Sequence, residues 1–270
     1  MASASAFQAI DDPAQLPDHA VPVDTRPLAE CTARSLRAAR CLPAREFLFP
    51  DGRLTSFRGI LWLLGTAGLD GSETVVVFGK NRIDREFVAG VLFLSGQARV
   101  VLWNESPQAL FSNRPLQISP GRRRGMIRDP IYTAWMRESA LVLRHELIAQ
   151  IQGGAAPVIV DGRAGNPETR IRGAVRYEPQ ARDDVARAGE IIVYAESPRE
   201  SIALFTRLQS QGIEARVYAD GWHDWPKDEP ALIEARDELG GPVRSVYLGV
   251  VALIIALLLF AVVTRIGNRR

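Results

Sequence analysis

The chain alternates short apolar runs with longer stretches in which apolar residues recur at helical spacing. Continuous aliphatic runs predict buried strands at Val21–Asp24, Thr74–Phe78, Arg99–Trp103 and Ile191–Tyr194. Helical patterns lie between and after these runs, and three of them end near Gly65, Gly96 and Gly212. This order of elements predicts an α/β fold in which helices cover parallel sheets.

A different pattern separates the two halves of the chain. Residues Pro115–Pro130 contain prolines, glycines and the basic run Arg122–Arg124, and they interrupt the alternation of strands and helices. A helical pattern then runs from Ile131 to Ile151. We therefore expect a linker with one long helix. The basic run, with Arg128, either contacts anionic lipid headgroups or is a solvated part of that linker.

The last apolar run differs from the others. Residues 245–264 contain no charged side chain, and a helix of that length spans about 30 Å, the thickness of the bilayer core. We expect a transmembrane helix, with a buried core helix as the alternative. Arg265, Arg269 and Arg270 favour a cytoplasmic carboxyl terminus. However, the amino terminus does not resemble a secretory signal, so the preceding domains are expected on the cytoplasmic side.

The two halves share short motifs in the same order. VIVDGR at Val158–Arg163 matches VPVDTR at Val21–Arg26, and Arg172-Gly173-Ala174 matches Arg37-Ala38-Ala39. Gly79 and Ala195 each follow an apolar strand, and each lies seventeen positions before a glycine. The ordered matches indicate an internal duplication of a domain of about one hundred residues.

Together these segments, from about residue 12 to 225, resemble the tandem rhodanese-like sulfurtransferases. The resemblance rests on Asp24/Arg26 and Asp161/Arg163, and on Asp220-Gly221-Trp222 with Trp225, which is similar to a closing element of that family. It implies an α/β fold class with two rhodanese-like parallel-sheet domains plus one C-terminal transmembrane helix. The expected order is a flexible leader (1–11), domain 1 (12–114), a linker with a long helix (115–154), domain 2 (155–228), a juxtamembrane linker (229–244), the transmembrane helix (245–264) and a basic tail (265–270).

The resemblance also indicates where a nucleophile would stand. In active members a cysteine at the first loop position of the second domain carries sulfur as a persulfide, held by loop N–H groups. That position is Ala195 here, and the matching position of the first half is Gly79. Both are therefore vestigial, and no catalytic residue is assigned. Two carboxylates in the rest of this vestigial loop oppose an anionic sulfur donor. The loop continues with Glu196, Ser197, Pro198, Arg199 and Glu200.

Other residues are candidates for chemistry outside these two positions. The loop of the first half is basic, which predicts either an anion-binding pocket or a solvated loop. Its residues are Lys80, Asn81, Arg82 and Arg85. Cys31 and Cys41 are either reactive thiols near several arginines or buried residues. His223 beside Asp224 indicates either acid–base chemistry or a surface turn. No ligand spacing for a metal is present, and no cofactor is expected.

Composition and these motifs favour a binding protein over an enzyme. The net charge of +2 gives no field that would attract nucleic acid. We expect a membrane-anchored, catalytically inactive rhodanese-like protein, with the lipid bilayer and an integral membrane protein as partners, serving as a subunit of a larger complex. The alternatives are a sulfurtransferase or persulfide carrier using Cys31 or Cys41, one whose loop cysteine has been replaced by Ala195 in this sequence, and an oxyanion sensor at the Gly79–Asp84 loop.

Overall fold

A computed structural model describes residues 6–113, 118–128, 130–153, 157–165, 167–178 and 189–235. Those up to Glu234 belong to one compact unit. In this part of the chain no helix is long and apolar enough to cross a membrane. The expected transmembrane helix (245–264) and basic tail (265–270) lie outside the described residues.

The described residues of the first half form a five-stranded parallel sheet in the order β1-β6-β5-β2-β4. Its strands are β1 (Phe7–Ile10), β2 (Val21–Asp24), β4 (Arg40–Cys41), β5 (Thr74–Phe78) and β6 (Arg99–Trp103). A short antiparallel pair joins β3 (Ser35–Leu36) to β7 (Ile118–Ser119). The helices of this half are α1 (Leu28–Ala33), α2 (Phe57–Thr66), α3 (Arg82–Leu94) and α4 (Pro107–Asn113).

The described residues of the second half form a four-stranded parallel sheet in the order β10-β8-β11-β12. Its strands are β8 (Val158–Asp161), β10 (Val175–Arg176), β11 (Ile191–Tyr194) and β12 (Arg216–Val217), and β9 (Thr169–Ile171) pairs with β13 (Ile233–Ala235) outside it. The helices are α5 (Arg144–Gln152) and α6 (Pro198–Ser210).

The four strands predicted from aliphatic runs are confirmed at their predicted bounds. The motifs shared by the two halves also share geometry. Gly173 has a φ of +75°, and Ala38, the matching residue, has a φ of +63°. A residue other than glycine rarely adopts this left-handed conformation, so the local chain path is the same at both positions.

One apolar core runs through both sheets because helices α3 and α6 pack against each other. It contains Phe87 and Leu92 of α3 together with Ile202 and Phe205 of α6. Gly90 allows the close approach, since a Cβ built there would overlap the Thr206 side chain. The two halves therefore bury a shared helix pair, and the amino-terminal ends of these helices carry the two vestigial loops.

Two predictions about elements were wrong. The leader is not flexible throughout, because Phe7–Ile10 forms β1 at the edge of the first sheet, with Phe7 and Ile10 buried. The long helix from Ile131 to Ile151 is also absent. A short 3₁₀ turn occupies Glu138–Ala140, and α5 begins only at Arg144.

The reason for the missing helix is that its first part is bound to the first sheet. The Tyr132 hydroxyl donates to Gln97 Oε1 at 3.2 Å, and the Arg137 guanidinium donates to the Gln97 carbonyl at 3.1 Å. The Thr133 N–H also donates to the Asp70 carbonyl at 3.0 Å. These contacts tie the segment to the turns before β5 and β6 in irregular structure, so its apolar periodicity reflects docking rather than helix formation.

Candidate functional site

The candidate site consists of two loops at the carboxyl ends of β5 and β11. Each loop has three residues, 79–81 and 195–197, and each leads directly into a helix. The last residue of each loop is the helix N-cap. Asn81 accepts from the Asp84 N–H at 3.0 Å, and Ser197 accepts from the Glu200 N–H at 3.4 Å. Part of the N–H array expected to bind an anion is therefore satisfied by the loop itself.

The vestigial position in the first loop has no room for a side chain. A Cβ built on Gly79 would overlap Thr25 Oγ1, which donates to the Phe78 carbonyl at 3.2 Å. The Arg85 guanidinium donates to the Gly79 carbonyl at 3.1 Å from the other side. The position is thus sterically closed as well as chemically inert.

The vestigial position in the second loop is packed under the closing turn. Ala195 is only 2 % exposed. Its N–H donates to Ser201 Oγ at 2.9 Å, and its carbonyl accepts from the Trp222 N–H at 2.8 Å. Gly221 must have a positive φ here, and a Cβ on it would lie 2.9 Å from the Ala195 carbonyl. The N–H of the nucleophile position is therefore already bonded within the protein.

A cavity of about 420 Å³ lies beside the second loop and is lined by Glu196, Ser197 and Pro198 rather than by Ala195. The lining contains four carboxylates and two arginines, Arg53 and Arg144. Arg144 pairs with Asp224 at 2.5 Å, and Glu196 and Asp220 add two further carboxylates. Desolvation raises the pKa of Asp220, and the nearby Asp224 raises it further, although Asp220 remains largely exposed to water. Such a lining repels an anionic donor.

His223 lies in the turn that covers this cavity. It belongs to a 3₁₀ turn at Trp222–Asp224, and its N–H donates to the Glu196 carbonyl at 2.9 Å. The neighbouring Trp222 and Trp225 are buried, whereas the His223 side chain is exposed. The structure agrees with the prediction of a surface turn at His223.

The predicted anion-binding residues of the first loop each have a partner within the protein. Lys80 pairs with Glu30 at 2.8 Å, and Arg82 pairs with Glu86 at 2.6 Å. The Arg85 guanidinium donates to two backbone carbonyls, and Asn81 caps its own helix. Lys80 and Arg82 are nevertheless exposed, so an anion-binding pocket at this loop stays a prediction.

The prediction of reactive thiols at Cys31 and Cys41 is wrong, because the structure joins the two residues in a disulfide. Their Cα atoms are 5.8 Å apart, and both residues are buried. The bond connects α1 to β4 and packs on the backbone of Gly121, where a Cβ would lie 2.5 Å from Cys31 Sγ. A sulfur held in a disulfide is not a thiolate nucleophile.

The Asp-x-Arg motifs form buried ion pairs at the ends of β2 and β8. Asp24 and Arg26 form a buried pair at 2.6 Å, and Asp161 and Arg163 form another at 2.6 Å. In the second half the Tyr194 hydroxyl also donates to Asp161 at 2.7 Å. Burial raises the pKa of Tyr194, and the Asp161 charge raises it further, which keeps the phenol protonated. These motifs are structural supports for the strand ends.

One feature of the site has no signal in the sequence, namely that the helices behind the two loops contact each other. Arg199 in the first turn of α6 pairs with Asp84 in the first turn of α3 at 2.7 Å, across 115 positions of sequence. Further along the same two helices, Arg207 pairs with the buried Glu86 at 2.7 Å. These contacts tie the two halves together at the site.

Comparison with solved structures defines the class of fold. The chain is similar to a protein described as "Probable Thiosulfate Sulfurtransferase", with a TM-score of 0.58 and 25% identity over 79% of this chain and 97% of that one. It is also similar to an EanB variant in complex with ergothioneine, with a TM-score of 0.62 and 18% identity over 80% of this chain and 65% of that one. The chain therefore has a rhodanese-like sulfurtransferase fold.

A further EanB structure, with a cysteine persulfide and ergothioneine, gives a TM-score of 0.63 and 17% identity over 83% of this chain and 67% of that one. The chain thus spans about two thirds of EanB. No protein-family model matches the chain, and no curated protein matches it.

Proposed function

We propose that this chain is a catalytically silent protein with two rhodanese-like domains, anchored to a membrane by residues 245–264 and serving as a binding or structural subunit of a larger membrane complex. The closed nucleophile positions carry the proposal. Gly79 has no space for a side chain because of Thr25, and Ala195 lies buried beneath Trp222. The two cysteines of the chain form a disulfide. Covalent sulfur transfer requires a thiolate that none of these positions supplies.

The binding role is supported by how the two halves are joined. The ion pairs Arg199–Asp84 and Arg207–Glu86, with the shared helix core, hold the two loops in a fixed arrangement. A rigid pair of domains without a reactive group is suited to presenting surfaces to a partner. We therefore assign it an integral membrane protein as partner, since residues 245–264 would hold it at the bilayer.

The disulfide bears on the orientation in the membrane. Disulfides persist in oxidising compartments and are rare in the cytosol. The arginines of the tail, Arg265, Arg269 and Arg270, favour a cytoplasmic carboxyl terminus. Both observations favour an orientation opposite to the sequence-based expectation, and we propose that the disulfide-bearing domains lie on the oxidising side of the membrane.

One observation favours a second candidate function, a persulfide carrier that acts after reduction of the disulfide. Cys41 lines a cavity of about 690 Å³ together with Arg123 and Arg124. A thiol released there would be near cations, which lower a thiol pKa. Reduction is required before this function operates, so the two candidates differ in their response to a reductant.

The experiment is thiosulfate:cyanide sulfurtransferase turnover by full-length protein purified in mild detergent, measured with and without reductant. We expect background rates in both conditions. Turnover in the oxidised protein would overturn the proposal. Turnover that needs reductant and disappears in Cys31→Ser/Cys41→Ser would support the carrier. The anchor is tested separately, because full-length protein should resist extraction from membranes by carbonate and a form ending before Ser245 should not sediment with membranes in high salt.

A further inference from the structure

A basic and apolar patch lies on the surface of the first half. We call it the Trp62 patch and define it as Trp62, Arg123, Arg124, Met126, Ile127 and Arg128. Met126 is 91% exposed, Ile127 is 82% exposed and Trp62 is 43% exposed. Large apolar side chains at such exposure are costly in water unless another surface covers them.

The patch has a defined geometry because it is bonded to helix α2. Trp62 and Gly65 lie three residues apart and thus on one face of that helix. Arg124 is stacked over the Trp62 ring at 5.9 Å, and a Cβ on Gly65 would lie 3.2 Å from Arg128 Cγ. The Gly125 N–H donates to the Thr66 carbonyl at 2.7 Å. These contacts fix the backbone on both sides of Met126 and Ile127.

The charges around the apolar tips are mainly positive. Residues 122–128 contain four arginines, whereas the carboxylates nearby are Asp129, the next residue in the sequence, and Glu46, which lines the adjacent cavity. Arg124 is committed to Glu46 at 2.9 Å, which anchors the segment, while Arg122, Arg123 and Arg128 are exposed. Exposed arginines that flank protruding methionine and isoleucine side chains match the surface of an anionic bilayer, where the cations contact phosphates and the apolar tips enter the acyl boundary.

The short chain between the described residues and the proposed anchor would keep this patch near the bilayer. Nine residues lie between Ala235, the last described residue, and Ser245. A chain of that length reaches at most about 35 Å even when fully extended. The compact unit would therefore remain within one protein diameter of the lipid surface. This step rests on the proposed anchor, whereas the charge and exposure of the patch do not.

We propose that the Trp62 patch is a second, peripheral membrane contact that docks the first half onto anionic phospholipid. Docking would restrict the rotation of the tethered unit and would present a constant face to a membrane partner. The cavity of about 690 Å³ between Trp62, Met126 and Arg124 provides space beside the patch for an inserted headgroup.

The test uses full-length protein reconstituted into vesicles, with an environment-sensitive fluorophore on Met126→Cys. Both native cysteines are in the disulfide, so labelling without reductant is selective. The fluorescence should shift to the blue in phosphatidylcholine vesicles that contain phosphatidylglycerol, should not shift in phosphatidylcholine alone, and should revert in high salt. Ile127→Cys provides a second labelling position, and Val175→Cys on the second sheet is the control that should not respond.

Charge reversal in the labelled protein tests the electrostatic contribution. Arg123→Glu with Arg128→Glu should lower the ratio of docked to undocked protein by about fivefold for each arginine. The matched control, Arg172→Glu with Arg176→Glu on the second half, changes net charge equally and should have no effect.

Other outcomes would overturn the proposal. If the protein floats with the vesicles but the label at Met126 stays in water, the patch is not a lipid contact, whereas the anchor stands. An equal shift in both kinds of vesicle would show that anionic lipid is not recognised. If the full-length protein floats only with anionic vesicles and only at low salt, the anchor fails, whereas the salt-sensitive shift still supports the patch.

Discussion

Thr25 and Gly79 pack so closely that the Thr25 hydroxyl occupies the place where a side chain on residue 79 would begin. The hydroxyl also donates to the Phe78 carbonyl. This contact closes the vestigial position of the first loop and couples it to the end of strand β2. The close packing at this position depends on two residues that lie 54 positions apart, and substitutions at either residue test it through the free energy of unfolding.

The first prediction is that Gly79→Ala lowers the free energy of unfolding by about 1–3 kcal/mol, because the added methyl group overpacks a buried site. Chemical denaturation measures the change. Thr25→Ala costs about 1 kcal/mol through the lost hydrogen bond. The double variant should be more stable than the sum of the two single changes predicts, since removing the hydroxyl makes room for the methyl group. Strict additivity would contradict the close packing.

The buried Glu86 should be important for the joint between the halves. Glu86→Gln removes the negative charge that accepts hydrogen bonds from both Arg207 and Arg82. We expect the free energy of unfolding to fall by about 2 kcal/mol. This loss is smaller than for a fully buried ion pair because both arginines remain partly exposed. The matched control is Asp84→Asn, which breaks the more exposed pair with Arg199 and should cost under about 1 kcal/mol. Similar costs for both variants would argue against this difference in burial.

Ala38 offers a prediction about backbone strain. Ala38 has a φ of +63°, and its side chain is exposed. Ala38→Gly should therefore stabilise the protein by about 0.5–1 kcal/mol, because glycine adopts the left-handed conformation without steric strain. The gain is reduced by the larger conformational entropy of glycine in the unfolded chain. The reverse change at the matching position, Gly173→Ala, meets no atoms within 4 Å and should destabilise it by a similar amount. Thermal unfolding of the two variants checks both signs.

The disulfide should contribute to stability rather than to chemistry. Cys31 and Cys41 are ten residues apart, and closing a loop of that size stabilises a fold by about 3 kcal/mol in the chain-entropy description. Reduction of the native protein should lower the unfolding free energy by that amount. Cys31→Ser/Cys41→Ser should match the reduced protein and should not respond to reductant. A reductant effect that persists in the double variant would assign the change to another cause.

The fold was largely predictable because its strands are continuous aliphatic runs. Val21–Asp24 and Thr74–Phe78 are buried on both faces of a parallel sheet, so their pattern leaves little ambiguity. The helical periodicity after Pro130 was misleading because Tyr132 docks on Gln97 and not on a helix neighbour. Phe7–Ile10 was missed because four residues beside a polar leader give almost no periodic signal.

The candidate site was predictable only as far as local sequence defines it. The loops and the residues at positions 79 and 195 follow from the strand ends, but their closure depends on Thr25 and Trp222, which are distant in sequence. The pairing of Cys31 with Cys41 depends on a Cα separation of 5.8 Å that two isolated cysteines do not reveal. Arg199 and Asp84 meet only because the two halves pack through α3 and α6.

The central claim is that this chain forms no persulfide, and the most direct test is the intact mass of the full-length protein after incubation with thiosulfate. We predict that no sulfur is added either to the oxidised protein or to protein that has been reduced and then freed of reductant, whose mass should exceed that of the oxidised form only by the two hydrogens of its thiols. Gly79 and Ala195 carry no sulfur, and Cys31 and Cys41 are buried. Cys31→Ser/Cys41→Ser serves as the control for adducts at the native cysteines. Addition of the mass of one sulfur atom to the wild type, absent from this double variant and removed by cyanide, would contradict the account and identify the chain as a sulfur carrier.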